Sequence, residues 1–251
     1  MEYSLKKSLG QHFLKDENIC RQIVDLVLDE KPHQLLEVGP GAGALTKYLL
    51  QIKALDFKAI ELDKEKIDYL QQTYPAIKSK LIHQDILKAD IPFEGQFMLL
   101  GNFPYNISTQ ILFKVLDWKD QVNCVVGMFQ KEVAQRIASK EGNKSYGILS
   151  VLVQAYYDVE YLFEVHENSF DPPPKVKSGV IRLKPVQQIP AMASEKKFIL
   201  LVKTAFNQRR KMLRNGVRGL FAADFLKDEI FNKRAEQLTV KQFAELTFKM
   251  F

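Results

Sequence analysis

The sequence predicts an α/β protein, a mostly parallel sheet covered by helices and followed by a small all-α C-terminal domain. Three observations carry this. Apolar runs of four to seven residues alternate with segments of helical spacing up to residue 185. A glycine-rich turn follows the first of these runs directly. Past "KPVQQIPAMAS" only helical patterns remain, which divides the chain into domains 1–185 and 186–251.

In chain order, "QLLEVG" (34–39), "FKAIELD" (57–63), "KLIHQD" (80–85), "FMLLGN" (97–102) and "NCVVGMF" (123–129) read as buried strands. Between them, "GALTKYLLQI" and "KEKIDYLQQTY" space their apolar residues as helices do. "YGILSVLVQAYYDVEYLFEV" and "SGVIRLKP" predict a further helix and the late strands that close the sheet. "FDPPPK" (170–175) is an extended loop, because three consecutive prolines have no N–H to donate. In "EKKFILLVKTAFNQRRKMLRN", Lys203, Asn207, Arg210 and Arg214 fall four, three and four apart, which places them on one helix face. Arg218 extends that stripe if Gly216 does not break the helix.

Length and composition narrow the function classes. A chain of 251 residues, 46% hydrophobic and 26% charged, can bury one good-sized core. No apolar run is long enough to span a membrane, and the start lacks the apolar stretch of a secretory signal. Cys20 and Cys124 stand alone in apolar surroundings without metal-ligand spacing, as expected of buried thiols in a reducing cytoplasm. The net charge of +6 is concentrated: 13 Lys and Arg stand against 6 Asp and Glu in 186–251, and 23 against 24 in 1–185. A positive end beside a neutral body is the electrostatic footprint of a nucleic-acid binder, or else a solvated surface.

The chemistry-bearing residues cluster at strand ends. Gly39, Gly41 and Gly43, preceded by Glu37, let the backbone approach a ligand where a Cβ would clash. Glu61 ends the second strand, where a carboxylate can accept both hydroxyls of a ribose. Asp85 follows the third strand, placed to bond an adenine amino group. Together with the motif that follows, S-adenosylmethionine is the ligand this pattern favours, with NAD or FAD as the alternative; the lack of a GK[ST] sequence after the glycines argues against a P-loop. "GNFPYNIS" then ends the fourth strand on the same edge. Alone, it reads as a turn with a buried tyrosine. Beside a cofactor turn, the Asn102 oxygen and a nearby carbonyl can accept the two N–H groups of an exocyclic amine. Pro104 fixes the turn, Tyr105 offers a stacking face worth about 1–3 kcal/mol, and Ser108 caps the next helix.

"GQHFL" (10–14), "EVGPGAGALT", "IELD", "QDIL", "GNFPYNIS", "MFQKEVAQRI" and "FDPPPKVKS" occur in an order that resembles the ribosomal RNA adenine N6-dimethyltransferases, over nearly the whole chain. The small-subunit (16S) branch is the nearer match, and "AFNQRRKMLRN" resembles its C-terminal helical domain. The resemblance implies a Rossmann-like class I methyltransferase fold with a seven-stranded, mostly parallel sheet. It also implies S-adenosylmethionine contacts at His12, Leu14, Gly39, Gly41, Glu61, Leu62, Asp85, Ile86 and Asn102. Asn102, Pro104 and Tyr105 would hold the target amine, and Phe170 would stack on the flipped adenine. His12 stands where the family also uses asparagine, which implies a hydrogen-bonding role rather than a base. Phe103 replaces the family's commoner leucine. The implied product is N6-dimethylation of two adjacent adenosines in the 3′-terminal hairpin of small-subunit rRNA within a pre-30S particle, by a metal-free cytoplasmic monomer. Lys203, Arg210 and Arg214 would meet phosphates. The rivals are the large-subunit (23S) enzyme that confers antibiotic resistance, a DNA adenine or protein glutamine methyltransferase, and an assembly factor in which binding outweighs catalysis.

Overall fold

The computed structural model describes residues 12–251, so Gly10 and Gln11 of "GQHFL" lie outside the described residues. The strands are β1 (Phe13–Leu14), β2 (Gln34–Val38), β3 (Asp56–Glu61), β4 (Leu81–His83), β5 (Phe97–Asn102), β6 (Val122–Gln130), β7 (Tyr157–Val165), β8 (Phe170–Asp171) and β9 (Ser178–Pro185). The helices are α1 (Glu17–Glu30), α2 (Thr46–Leu49), α3 (Lys64–Thr73), α4 (Ser108–Asp117), α5 (Lys131–Ala138), α6 (Ile148–Gln154), α7 (Glu195–Asn207), α8 (Leu213–Val217) and α9 (Val240–Leu246).

Seven strands form one sheet in the order β4-β3-β2-β5-β6-β9-β7. The pairs β4/β3, β3/β2, β2/β5 and β5/β6 are parallel, and β6/β9 is antiparallel. Leu35, Leu36, Met98, Leu99, Leu100 and Val125 are buried to 1% exposure or less, as expected of central strands covered on both faces. The order reverses between β2 and β5, and open α/β sheets bind ligands at the carboxyl ends beside such a switch. Helix α1 starts at Asp16, whose side chain accepts the N–H groups of Asn18 and Ile19 at 3.0 and 3.3 Å. Its buried stripe is Cys20, Ile23, Val24 and Val27. A separate two-stranded ribbon pairs β1 with β8, Phe13 opposite Asp171 and Leu14 opposite Phe170.

Among the described residues two compact units emerge, 12–134 with 160–184, and 135–159 with 185–251. The expected division at 186 is thereby corrected, since residues 135–159 join the C-terminal helices. Helix α6 packs on α7 and α9, the Tyr146 ring meets Phe206 edge-on at 6.2 Å, and the Val186 N–H donates to the Tyr156 carbonyl at 3.0 Å. The expected Ser108 cap is corrected as well. Ser108 is the first residue of α4, and its hydroxyl donates back to the Tyr105 carbonyl at 3.2 Å. Among the described residues, no helix is long and apolar enough to cross a membrane.

Candidate active site

A cavity of about 200 Å³ opens at the carboxyl ends of β2, β3, β4 and β5. Its floor is the glycine turn after β2. Gly39 and Gly41 have φ of +68° and +57°, in the left-handed region that favours glycine. The Gly39 N–H donates to the Ile60 carbonyl at 2.9 Å, and a Cβ on Gly41 would stand 2.9 Å from the Phe13 ring.

Glu61, at the tip of β3, braces this turn. Its carboxylate accepts the N–H groups of Gly41, Leu62 and Asp63 at 3.3, 2.8 and 2.9 Å. Burial pushes its pKa up while these donors pull it down. Oε1 accepts two of these N–H groups and Oε2 only one, so Oε2 keeps a free acceptor site. Glu37 is buried on β2 and accepts the Thr46 hydroxyl at 2.7 Å. Burial pushes its pKa up to about 8; the Thr46 bond opposes this and the Glu61 charge adds to it. Asp85 caps the turn Ile86–Lys88 by accepting the Leu87 N–H at 3.0 Å.

The far wall is the turn after β5. Asn102 Nδ2 donates to the His12 carbonyl at 3.0 Å, which leaves Oδ1 as the acceptor end of the amide. His12 is tied in turn by its Nδ1–H, which donates to the Pro172 carbonyl at 2.8 Å. The Tyr105 hydroxyl bonds Ser178 Oγ at 2.5 Å, and its ring lies 5.5 Å from the His12 ring at 30°. Phe103 is buried behind the turn. Ser178 and Phe13 are contributors that sequence reasoning missed, although both lie within the quoted motifs "FDPPPKVKS" and "GQHFL".

The cavity brings together His12, Leu14, Gly39, Gly41, Glu61, Leu62, Asp85, Asn102, Pro104 and Tyr105. Two expected residues stand apart. Phe170 is fully buried, because its pairing with Leu14 turns the ring into a core that includes Val165 and Val180, and it presents no face to a base. Ile86 is buried too, and its neighbour Leu87 lines the cavity instead.

In the second unit, the single basic helix face is corrected. Helix α7 ends at Asn207, residues 208–212 turn, and α8 starts at Leu213. The Leu213 N–H donates to the Lys233 carbonyl at 2.7 Å, and Arg209 Nε pairs with Glu236 at 2.6 Å, so tertiary partners pull the chain off the helical path. Lys203 therefore lies on α7, Arg210 in the turn and Arg214 on α8. Gln208, Lys211, Asn215 and Arg218 line a polar concavity of about 300 Å³, with no carboxylate in its lining.

S-adenosylmethionine fits the first cavity. The glycine turn offers a cradle without Cβ atoms, Glu61 can accept ribose hydroxyls, and the Asp85 carboxylate can accept an adenine amine. When bound, it supplies a methyl group made electrophilic by its sulfonium. Among the described residues, no group of three or more His, Cys, Asp or Glu is placed to hold a metal.

The ribosomal RNA adenine dimethylase family matches residues 2–250. The ribosomal RNA small subunit methyltransferase A of Cytophaga hutchinsonii is 53% identical over 246 residues, covering 96% of this chain and 95% of the relative. That of Flavobacterium johnsoniae is 52% identical over 249 residues, covering 98% and 95%. Among solved structures, a dimethyladenosine transferase from Plasmodium falciparum superposes with a TM-score of 0.81 at 25% identity, covering 94% of this chain and 96% of that one. The 23S rRNA methyltransferase ErmE superposes with a TM-score of 0.72 at 19% identity over 94% and 99% of the two chains, a likeness of fold. By its sequence over nearly its full length, the chain belongs to the ribosomal RNA adenine dimethylase family.

Proposed function

We propose that this protein uses S-adenosylmethionine to dimethylate N6 of two adjacent adenosines in the 3′-terminal hairpin of small-subunit (16S) rRNA, acting as a cytoplasmic monomer on a pre-30S particle. The observation that carries the reading is the convergence of Asn102, Pro104 and Tyr105 with the Glu61-braced glycine turn on one cavity. The small-subunit methyltransferases at 53% and 52% identity support the choice of substrate.

The chain's work is positioning and exclusion of water. Asn102 Oδ1 and a carbonyl of the 102–104 turn accept the two N–H groups of the adenine amine, aiming the nitrogen lone pair at the methyl. Tyr105, held by Ser178, stacks on the base. Extruding the base costs only a few kcal/mol, least where it is already unstacked. As the N–C bond forms the methyl–sulfur bond breaks and leaves a neutral thioether, and the nitrogen, made acidic by the methyl it gains, sheds a proton to solvent, so no strong base is required. The second unit holds rRNA phosphates through Lys211 and Arg218, with Lys203, Arg210 and Arg214 as further contacts.

The test is transfer of labelled methyl to unmethylated small subunits, large subunits and naked DNA, followed by mapping of the modified base. Label at N6 of adjacent adenosines in small-subunit rRNA is the expected result. Asn102→Ala should abolish transfer and keep subunit binding. Label confined to large-subunit rRNA or DNA overturns the reading, and wild-type transfer by Asn102→Ala overturns the roles.

A further inference from the structure

Gly101 of β5 and Gly127 of β6 are partners in the parallel ladder, side by side at the end of β5. Their missing side chains form a socket, and the Phe103 ring fills it. A Cβ on Gly101 would stand 2.6 Å from Phe103 Cε1, and one on Gly127 would stand 2.5 Å from Phe103 Cε2. Phe129 closes the socket edge-on, with ring centroids 5.0 Å apart at 68°, and the same Cβ on Gly127 would stand 2.7 Å from Phe129 Cε2, which moves only if the Phe103 ring beside it gives way. The Phe103 backbone is held too, its N–H donating to the Met128 carbonyl at 3.2 Å. Phe103 is 1% exposed, so the ring is clamped from the strand side.

Phe103 lies between Asn102 and Pro104, the two residues read as meeting the target amine. Its backbone is continuous with both, so a ring displaced from the packed socket pushes on the turn that carries them. We propose that Gly127 is a positioning residue for methyl transfer: by leaving its Cβ space empty it seats the Phe103 ring, and so sets from β6 the height of Asn102 and Pro104. The inference rests on the reading of Asn102 as an amine holder. It also gives the phenylalanine at 103 a structural partner: a bulky ring in the turn needs a glycine beneath it.

The experiment compares wild type, Gly127→Ala, Phe103→Leu and the double variant as full chains. It measures kcat and KM on unmethylated small subunits, S-adenosylmethionine affinity by calorimetry, and Tm. A misplacement of about 1 Å costs on the order of 100-fold in rate, so Gly127→Ala should lower kcat by roughly 30- to 100-fold while cofactor affinity stays within about threefold. Phe103→Leu should cost less, and in the Gly127→Ala background it should restore kcat to within about fivefold of Phe103→Leu alone, since the smaller side chain gives room to the added methyl and to the Phe129 edge. Wild-type kcat in Gly127→Ala overturns the proposal. So does a double variant that folds and binds cofactor yet stays as slow as Gly127→Ala. If Gly127→Ala does not fold, Phe103→Leu and Phe103→Ala decide: kcat falling stepwise at constant cofactor affinity supports the socket, and unchanged kcat in both overturns it. Asn102→Ala runs in parallel, and its wild-type activity would sink the underlying reading while leaving the Gly127 result separately legible.

Discussion

Asn102 Nδ2 donates to the backbone carbonyl of His12 at 3.0 Å, across 90 residues of sequence. A carbonyl only accepts, so the bond fixes which end of the amide faces the substrate. Asn102→Asp keeps the shape but removes the donor and sets a carboxylate against the His12 oxygen. The side chain must then turn away, and kcat should fall by about 100-fold or more, in line with other losses of a preorganised polar group. Cofactor affinity should change far less. Equal losses in kcat and cofactor affinity, measured by steady-state kinetics and calorimetry, would contradict the orientation argument.

Glu61 accepts three backbone N–H groups, one of them from Gly41 on the glycine turn. Glu61→Ala leaves the part-buried N–H groups of Gly41 and Asp63 unpaired, at a cost of about 1–3 kcal/mol. The turn should loosen and the ribose acceptor is gone, so S-adenosylmethionine affinity should fall at least tenfold and Tm should drop. Glu61→Gln offers one acceptor oxygen in place of two and should fall between. A Glu61→Ala protein with wild-type affinity would remove this residue from the cofactor site.

Glu37 gives a pH signature. Burial, opposed by the Thr46 bond and reinforced by the Glu61 charge, raises its pKa from 4.5 to about 8 in the folded chain. The folded state therefore holds this proton more tightly than the unfolded state does. The stabilisation is complete below pH 4.5 and is lost as pH rises through about 8. Glu37→Gln keeps an acceptor for Thr46 and cannot ionise. Across pH 5 to 9 in the cofactor-free protein, wild-type Tm should decline more steeply than that of Glu37→Gln. Parallel melting curves over that range would show that Glu37 does not titrate as described.

Much of this site was legible in the sequence because it sits where apolar runs meet punctuation. Val38 hands over to Gly39, Leu100 to Gly101 and Asn102, and such boundaries need no tertiary information. The ribbon of Phe13–Leu14 with Phe170–Asp171 was not legible, since two-residue strands have no periodicity. The burial of Phe170 follows from that ribbon and was hidden with it. The break after Asn207 depends on Lys233 and Glu236, more than 25 residues onward, while the local pattern continues as a helix. Residues 135–159 likewise join the C-terminal unit through contacts that only the fold creates.

That break gives Arg209 a different role from Lys211 and Arg218. Arg209 pairs with Glu236 at 2.6 Å and also donates to the Lys144 carbonyl, so it holds the unit together. Lys211 and Arg218 line the polar concavity, exposed and without a neighbouring carboxylate in its lining. Arg209→Ala should therefore lower stability by about 1–2 kcal/mol, because charged hydrogen bonds are lost. The salt dependence of rRNA binding by the folded protein should stay unchanged. Lys211→Ala with Arg218→Ala should leave Tm near wild type and weaken rRNA binding. The slope of log affinity against log salt should then shrink by about one for each phosphate contact removed. Binding titrations between about 50 and 200 mM salt, where such contacts dominate affinity, read this directly. An unchanged slope in the double variant would move the phosphate contacts to Lys203, Arg210 and Arg214, and the same titration on those variants would then carry the loss.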